Sequence, residues 1–360
     1  MKVCHFGVSD PSYSRNRVIL QGLRQNGVEV FECNAFSPSP DRYSMSPLKY
    51  VKKYLQLIKK HAKLSYDVIL TAYSGQLVMP LIKALTRKPV ILDAFLGMYE
   101  MFIDLDPKSL NSKEAKAWYY LDAYSLKAAD LILTDTQEHM NYFYDQFGIN
   151  KTKFRRVFVG SDDKIFFPRS VSKEDDNFLV VFWGTYIPLQ GVEHIVHAAK
   201  LLENREDIKF EMIGSGRTFS FVKQLSERLR LNNISFFTKW IPYEKLPIYV
   251  AQADVCLGIF GGTQKARRVI PNKAFEALAM EKPLITGDSS AAREALTDMK
   301  NCILCEMANS KVIAESIMLL KDDERLRKKI ATNGYNLFKT KFTPRVIGKE
   351  LKEHLKNCFE

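Results

Sequence analysis

The sequence predicts an α/β protein with two doubly wound, Rossmann-like domains that face each other across a cleft. Three observations support this prediction. The chain has 360 residues, which is more than one ordinary hydrophobic core accommodates. Short runs such as VIL and FLVVF are apolar on both faces, as in the central strands of a parallel sheet covered by helices on both sides. Helix-length segments separate these runs, which is typical of βαβ units.

The strand-like runs form two series of six. The first series comprises Val3–Val8, Val28–Cys33, Asp67–Ala72, Pro89–Ala94, Leu131–Asp135 and Arg156–Val159. The second comprises Phe178–Trp183, Lys209–Ile213, Ile234–Phe237, Val255–Ile259, Pro283–Thr286 and Cys302–Cys305. Ser161–Asn177 lies between the series, is rich in charge, Pro and Ser, and is interpreted as a linker. We therefore expect domains at 1–165 and 170–343, with a C-terminal helix at 344–360 that returns to the first domain.

The charge balance favours anionic partners. Lys and Arg number 53 against 41 Asp and Glu, which gives a net charge of +12. A nucleic-acid partner is not predicted, because the lysine-rich run is not interleaved with aromatics on a recognisable module. The sequence begins without a signal-peptide pattern and contains no apolar run of about 18 residues. We therefore expect a cytoplasmic protein.

The lysine-rich segment Leu48–Leu64 has apolar residues and lysines on different sides at helical spacing, and no acid. Such a helix can lie on an anionic membrane and present a lipid-linked acceptor. This would make the protein peripheral to the inner face of the membrane. The alternative is a surface helix whose apolar face packs on its own sheet.

The most informative segment is Gly261–Pro283, which follows a predicted strand. Pro271 is suited to the first position of a helix, and the free N–H groups of that helix would favour a diphosphate. Lys265, Arg267 and Arg268 lie on the loop just before it. They would repel one another unless an anion joined them. A solvated basic loop is the alternative.

Within that helix, Glu276 lies about one turn from the start. A carboxylate there can accept hydrogen bonds from both ribose hydroxyls of a nucleotide. Asn272 and Lys273 occupy the beginning of the helix, so we include them among the donor-binding candidates. The alternative for Glu276 is an ordinary exposed helix glutamate.

A second segment, Val180–Ala199, combines a buried strand, a loop and an amphipathic helix. Gly184 opens the loop, and glycine allows the backbone to come close to a bound phosphate or sugar. Thr185 and Gln190 are polar groups on the same loop. We predict that all three residues contact the donor.

These segments, in this order, resemble glycosyltransferase family 4, a retaining GT-B family. Ile213–Gly216 resembles its IGxG turn, which adds Gly214 to the donor-binding candidates. Ala253–Val255 and Glu281–Pro283 resemble its later strand and its GKP-like turn, and Gly160–Asp162 with Phe166 resembles the segment that closes its first domain. The resemblance implies transfer of a sugar from a UDP- or GDP-linked donor to a glycan hydroxyl, the acceptor being lipid-linked or free. It also implies an acceptor-binding first domain, a donor-binding second domain and no cofactor or metal.

Three positions depart from the family pattern. The family usually has Arg and Lys where this chain has Thr185 and Gln190, and a first glutamate where it has Arg268. We interpret Lys265, Arg267 and Arg268 as a relocated charge set beside the donor phosphates, with Lys265 and Arg268 assisting catalysis. Two alternatives stay open: a non-catalytic homologue that serves as a binding or regulatory subunit, and a sugar-nucleotide epimerase.

The first domain has two further candidates. The polar loop Gly7–Arg17 carries Ser14, Arg15 and Asn16, which we expect to reach the acceptor or the donor phosphates. The alternative is an ordinary helix cap with surface arginines. Asp93 ends a buried strand where family members often place a catalytic His, and we predict a catalytic role for it.

Overall fold

The computed structural model describes residues 1–37, 47–171, 173 and 176–359. The chain divides into two compact units, Met1–Val159 with Thr343–Glu360, and Gly160–Phe342. The first unit thus ends earlier in the chain than the expected boundary at 165. Phe166 is buried in the second unit, where its ring lies 5.2 Å from that of Tyr243. Residues 172, 174 and 175 of the predicted linker, and residue 360 of the predicted C-terminal helix, lie outside the described residues.

Each unit contains a six-stranded parallel sheet, in the order β2-β1-β3-β4-β5-β6 and β12-β11-β10-β7-β8-β9. The strands are β1 Lys2–Gly7, β2 Glu29–Asn34, β3 Val68–Thr71, β4 Val90–Asp93, β5 Leu131–Thr134, β6 Phe154–Arg156, β7 Phe178–Trp183, β8 Ile208–Ile213, β9 Ile234–Phe237, β10 Val255–Leu257, β11 Leu284–Gly287 and β12 Ile303–Cys305. Every predicted strand overlaps an observed one. The largest displacement is at β6, which begins and ends earlier than the predicted Arg156–Val159.

The helices connect consecutive strands and cover both faces of each sheet. They are α1 Ser14–Gln25, α2 Pro47–His61, α3 Met79–Leu85, α4 Met98–Leu105, α5 Lys113–Ala128, α6 Gln137–Phe147, α7 Val192–Leu201, α8 Phe219–Arg228, α9 Leu246–Gln252, α10 Asn272–Ala279, α11 Ser290–Arg293, α12 Ser310–Asp322, α13 Glu324–Lys341 and α14 Pro344–Phe359. Within the described part of the chain, no helix is both long enough and apolar enough to cross a bilayer.

The last helix, α14, completes the core of the first unit. It packs on α1, and its side chains Ile347, Leu351 and Leu355 are fully buried in one cluster with residues of α1 and the sheet. The crossing is tight because Gly22 and Gly348 face each other. A Cβ on Gly348 would lie 2.0 Å from the carbonyl carbon of Gly22. Only glycine therefore permits this helix pair.

Helix α2 has two apolar faces. One face packs on its own sheet: Leu57 is buried, and the Tyr54 hydroxyl donates a hydrogen bond to the Leu77 carbonyl. The other face leaves Val51, Leu55 and Ile58 exposed, on the same helix as the exposed Lys52, Lys59 and Lys60. The packing expected under the alternative interpretation is therefore present, and a second apolar stripe remains on the surface.

Candidate active site

The second sheet reverses its strand order between β7 and β10. From β7 the chain proceeds outward through β8 and β9, and then returns to the other side of β7 at β10. Open parallel sheets bind ligands outside the carboxyl ends of their strands at this switch point. The predicted donor-binding residues Gly184 and Gln190 follow β7, and the segment Lys265–Glu276 follows β10. The topology therefore brings the two informative segments of the sequence to one edge of the sheet.

Backbone contacts hold the loops at this edge together. The Gly184 N–H donates to the Ile213 carbonyl at 3.0 Å, and the Phe260 N–H donates to the Gln190 carbonyl at 3.0 Å. Gly214 has φ +125°, and a Cβ there would lie 2.1 Å from the Gly184 carbonyl oxygen. Since L side chains avoid that conformation, this close approach requires glycine. Gly214 thus shapes the loop after β7 through direct backbone contact.

Glu276 is held on both carboxylate oxygens. It is 3% exposed and lies in the first turns of α10. The Trp183 indole N–H donates to Oε2 at 2.7 Å, and the Tyr243 hydroxyl donates to Oε1 at 2.9 Å. Burial raises the pKa of Glu276, and these two hydrogen bonds and the nearby Lys273 partly oppose that rise. The exposed helix glutamate of the alternative interpretation is therefore not what the structure shows.

Lys273 is buried beside the loop after β7. It is 4% exposed, and its Nζ donates a hydrogen bond to Gln190 Oε1 and lies 3.6 Å from the centroid of the Phe182 ring. The same Nζ lies 3.1 Å from the position that a Cβ on Gly184 would occupy. Burial lowers the pKa of Lys273 well below its usual value, and the carboxylate of Glu276 partly offsets this effect.

The three basic residues of the loop before α10 differ in their exposure to solvent. Lys265 is buried, Arg268 is half-buried and Arg267 is exposed. The Arg268 N–H donates to the Lys265 carbonyl at 3.0 Å, so the two residues share a turn. Thr185, on the loop after β7, is exposed, and Asn272 begins α10.

Helices α7 and α10 begin at this edge, and their N-cap residues, Gly191 and Pro271, supply no side-chain cap. Gly191 precedes α7 at φ +63°, and a Cβ there would lie 2.4 Å from the Gly261 nitrogen. Pro271 precedes α10, which makes it the cap residue rather than the first helical residue. Uncapped N–H groups and the positive end of the helix dipole favour an anion.

In the first unit, Arg15 and Asp93 form a buried ion pair. Their side chains are 0% and 1% exposed, and Arg15 Nη2 lies 2.9 Å from Asp93 Oδ1. Arg15 Nε lies 3.1 Å from Asp93 Oδ2, and Nη1 donates to the Val157 carbonyl. Each group neutralises the other inside the unit. The predicted contact of Arg15 with a ligand and the predicted catalytic role of Asp93 stay predictions.

The neighbours of Arg15 are also engaged within the unit. Asn16 donates through Nδ2 to the Asp10 carbonyl at 2.8 Å and accepts from the Tyr73 N–H at 3.1 Å. Ser14 is buried in the first turn of α1. Asn16 thereby joins the loops after β1 and β3. The expected contacts of Ser14 and Asn16 with the acceptor or the donor phosphates stay predictions.

The sequence analysis did not identify the buried His139, which contacts two carboxylates. His139 Nδ1 lies 2.8 Å from Asp135 Oδ1, and Nε2 lies 2.9 Å from Glu100 Oε2. Burial alone would lower the pKa of His139, but the charges and hydrogen bonds of Glu100 and Asp135 raise it to about 9. The one sequence signal was Asp135 directly after a buried strand, four residues before His139.

Another buried acid in the same unit caps a helix. Asp122 accepts hydrogen bonds from the N–H groups of Met98 and Tyr99, at the start of α4. Burial raises the pKa of Asp122 to about 7. Among the residues that the structure describes, no group of three or more His, Cys, Asp or Glu side chains is arranged to hold a metal ion.

Comparison with known proteins identifies a family model that matches the second unit and relatives of this chain. Residues 163–337 match the family model of glycosyl transferases group 1. The capsular polysaccharide biosynthesis glycosyltransferase CapM of Staphylococcus aureus is 25% identical over 194 residues, which are 51% of this chain and 47% of CapM. The uncharacterized glycosyltransferase MJ1069 of Methanocaldococcus jannaschii is 22% identical over 353 residues, 92% of this chain and 85% of that protein. The match to CapM thus spans about half the length of that relative.

Solved structures show the same fold over nearly the whole chain. Anabaena Alr3699/HepE, solved in complex with UDP and glucose, is 16% identical with a TM-score of 0.72 and covers 99% of this chain and 100% of its own. The sucrose-phosphate synthase of Thermosynechococcus elongatus is 16% identical with a TM-score of 0.76, covering 99% and 98%. The predicted GT-B fold class, with two doubly wound α/β domains, is confirmed.

Proposed function

We propose that this protein transfers a sugar from a nucleotide-diphosphate donor to a hydroxyl acceptor, with retention of configuration, because residues 163–337 match the family model of glycosyl transferases group 1. The observation that carries the proposal is the buried arrangement of Trp183, Glu276 and Lys273 at the switch point of the second sheet. A carboxylate and an ammonium held in place at a ligand-binding edge suit a ligand with both hydroxyls and phosphates. The second unit would bind the donor and the first unit the acceptor.

Glu276 would bind the ribose of the donor. Each carboxylate oxygen has about two lone-pair sites, and Trp183 and Tyr243 each occupy one. Each oxygen therefore retains the capacity to accept a ribose hydroxyl. The indole and the phenol would orient the carboxylate before the ligand arrives. The UDP bound to HepE makes UDP the first nucleotide to test, with GDP as the alternative.

Rate enhancement would come mainly from electrostatic stabilisation of the leaving nucleotide diphosphate and from positioning of the two substrates. The uncapped N-termini of α7 and α10 and the loop Lys265–Arg268 would supply positive potential. We expect Arg268→Ala to lower kcat or raise the donor KM by at least about tenfold. Unchanged kinetics would remove Arg268 from the mechanism. We further propose that the reaction needs no metal ion, so turnover should persist in EDTA.

A thermal-shift panel with UDP, GDP, ADP and their sugar conjugates tests the donor site. Ligand at about 100 times its Kd should stabilise the protein by about 2.7 kcal/mol. A shift with one base supports the donor site around Glu276, and no shift with any nucleotide contradicts it. Turnover assays then separate the alternatives. Release of a converted sugar nucleotide without acceptor would indicate an epimerase, and binding without any turnover would indicate a non-catalytic subunit.

The acceptor would be a lipid-linked glycan at an anionic membrane surface. The exposed stripe of α2, formed by Val51, Leu55 and Ile58, lies on a helix with several exposed lysines and no acid. Apolar side chains that enter the headgroup region and lysines that pair with lipid phosphates are the two features of an interfacial helix.

Liposome flotation with and without phosphatidylglycerol tests this contact. We expect the wild-type protein to float only with the anionic vesicles, and Leu55→Gln to weaken flotation. Leu201→Gln is the matched control, because Leu201 is 58% exposed on α7 and Leu55 is 55% exposed on α2. Flotation that is equal with neutral vesicles, or equal for Leu55→Gln, would remove the membrane from the proposal.

A further inference from the structure

The side chain of Lys273 crosses from one strand–helix loop to another. Lys273 belongs to the first turn of α10, after β10, but its Nζ bonds to Gln190, just before α7. Nζ also lies 3.1 Å from the Cβ position of Gly184, at the end of β7. The ammonium therefore sits at the turn after β7, although the sequence of that turn contains no cation.

Within the part of the chain that the structure describes, no carboxylate is hydrogen-bonded to this ammonium. Its hydrogen bond goes to the neutral amide oxygen of Gln190, and the Phe182 ring covers it from another side. Glu276 is the nearby carboxylate, and its oxygens accept hydrogen bonds from Trp183 and Tyr243 rather than from Nζ. An ammonium has three N–H donors, and burying it with a neutral partner is unfavourable without an anion. The site is thus electrostatically prepared for an anionic ligand.

The backbone around Lys273 favours the same kind of ligand. Helices α7 and α10 both begin here without side-chain caps, so their first N–H groups face the same edge of the sheet as the ammonium. Gly184 has φ +146° and carries no side chain, which leaves room beside Nζ. A buried side-chain cation and two helix N-termini therefore converge at the end of β7.

Resting on the function proposed above, we infer that Lys273 is the principal cation that binds the donor diphosphate beside Gly184. It would take the place of the arginine and lysine that related enzymes carry at the positions of Thr185 and Gln190. Gln190 would then be a positioning residue, since its amide oxygen orients Nζ. The main cation for the donor diphosphate would thus lie on α10, whereas the resemblance led us to expect it on the loop Lys265–Arg268.

Calorimetric titration with UDP and with uridine tests the inference, because the two probes differ only in the diphosphate. Lys273→Met should weaken UDP binding by about ten- to hundredfold, the range of a charge-assisted hydrogen bond. Uridine binding should stay within about twofold of wild type, since Glu276 keeps its partners. Lys311→Met is the matched control, because Lys311 is 78% exposed on α12 of the same unit. It should bind both probes like the wild-type protein.

A rescue variant keeps the test decisive. Gln190→Lys in the Lys273→Met background returns an ammonium to the same turn from the other side, and we expect it to recover at least about tenfold of the lost UDP affinity. Recovery supports the inference even where the single variant folds poorly. Equal UDP affinity of wild type and Lys273→Met overturns it, and so does failure of the folded double variant to recover affinity.

The same titrations distinguish an error in the proposed donor site from an error in the role of Lys273. If wild-type protein binds neither UDP nor uridine, nor GDP nor guanosine, the donor site itself is wrong. If wild-type protein binds the diphosphate much more tightly than the nucleoside, but Lys273→Met retains that preference, the donor site stands and only the assignment to Lys273 is overturned.

Discussion

Replacing Arg15 with methionine should destabilise the protein much more than replacing Arg15 and Asp93 together. In the single variant, the Asp93 carboxylate remains buried at 1% exposure without the guanidinium that lies 2.9 Å away. Removing one partner of a buried ion pair while the other stays typically lowers the unfolding free energy by about 3–5 kcal/mol. In Arg15→Met with Asp93→Leu, both charges are absent and the space remains apolar, so the loss should be about 1 kcal/mol or less, or a gain.

Urea unfolding of wild type, both single variants and the double variant gives the coupling free energy of the pair. The expected coupling is at least about 2 kcal/mol, because the two ends share three hydrogen-bond contacts in a dry environment. Additive effects of the two substitutions would refute the interpretation of Arg15 and Asp93 as a structural pair. A folded Asp93→Asn protein with unchanged nucleotide binding but strongly reduced kcat would instead support the predicted catalytic role of Asp93.

The pKa of His139 rises from 6.5 to about 9 on folding, so this residue contributes about 3 kcal/mol to the unfolding free energy. That contribution is complete below pH 6.5 and is lost as the pH rises through 9. In urea titrations at several pH values, His139→Gln should flatten this loss of stability, and an unchanged pH profile would contradict the assignment. Gly348→Ala should lower the unfolding free energy by about 1–3 kcal/mol through contact with the Gly22 backbone, whereas the exposed Lys349→Ala on the same helix should have little effect on the melting temperature. Glu276→Gln should weaken uridine and UDP binding by the same factor in titration calorimetry, in contrast to the selective loss expected for Lys273→Met.

The strands were predictable because their signal is local. The central strand Phe178–Trp183 has the predicted bounds, since an apolar run marks a central strand without reference to its neighbours. The edge strand Ile234–Phe237 also has the predicted bounds. The predicted bounds of β6 were displaced because they too relied on a local apolar run. Val157–Val159 is a buried apolar run, but beyond Arg156 the chain leaves the sheet. Burial, rather than strand pairing, determined that pattern.

The site residues were predictable in part. The segments around Gly184 and Glu276 come together because strand order fixes where loops meet, and the alternating pattern of strands and helices indicates that order. The partners of individual side chains were not predictable. Arg15 and Asp93 are 78 positions apart, and Lys273 and Gln190 are 83 positions apart. A single sequence does not show whether a cation will meet a carboxylate, an amide or a ligand.

The position of α14 in the chain has a consequence for synthesis on the ribosome. The first unit is encoded first, but the helix that covers α1 emerges only after Gly160–Phe342 has been made. At about 5–20 residues per second, that interval lasts roughly 10–40 s. During it, the apolar side of α1 lacks its native cover, while the second unit already has all of its own residues. The second unit can therefore reach its native structure first. Chaperones would matter most for the first unit, during the interval before α14 is made.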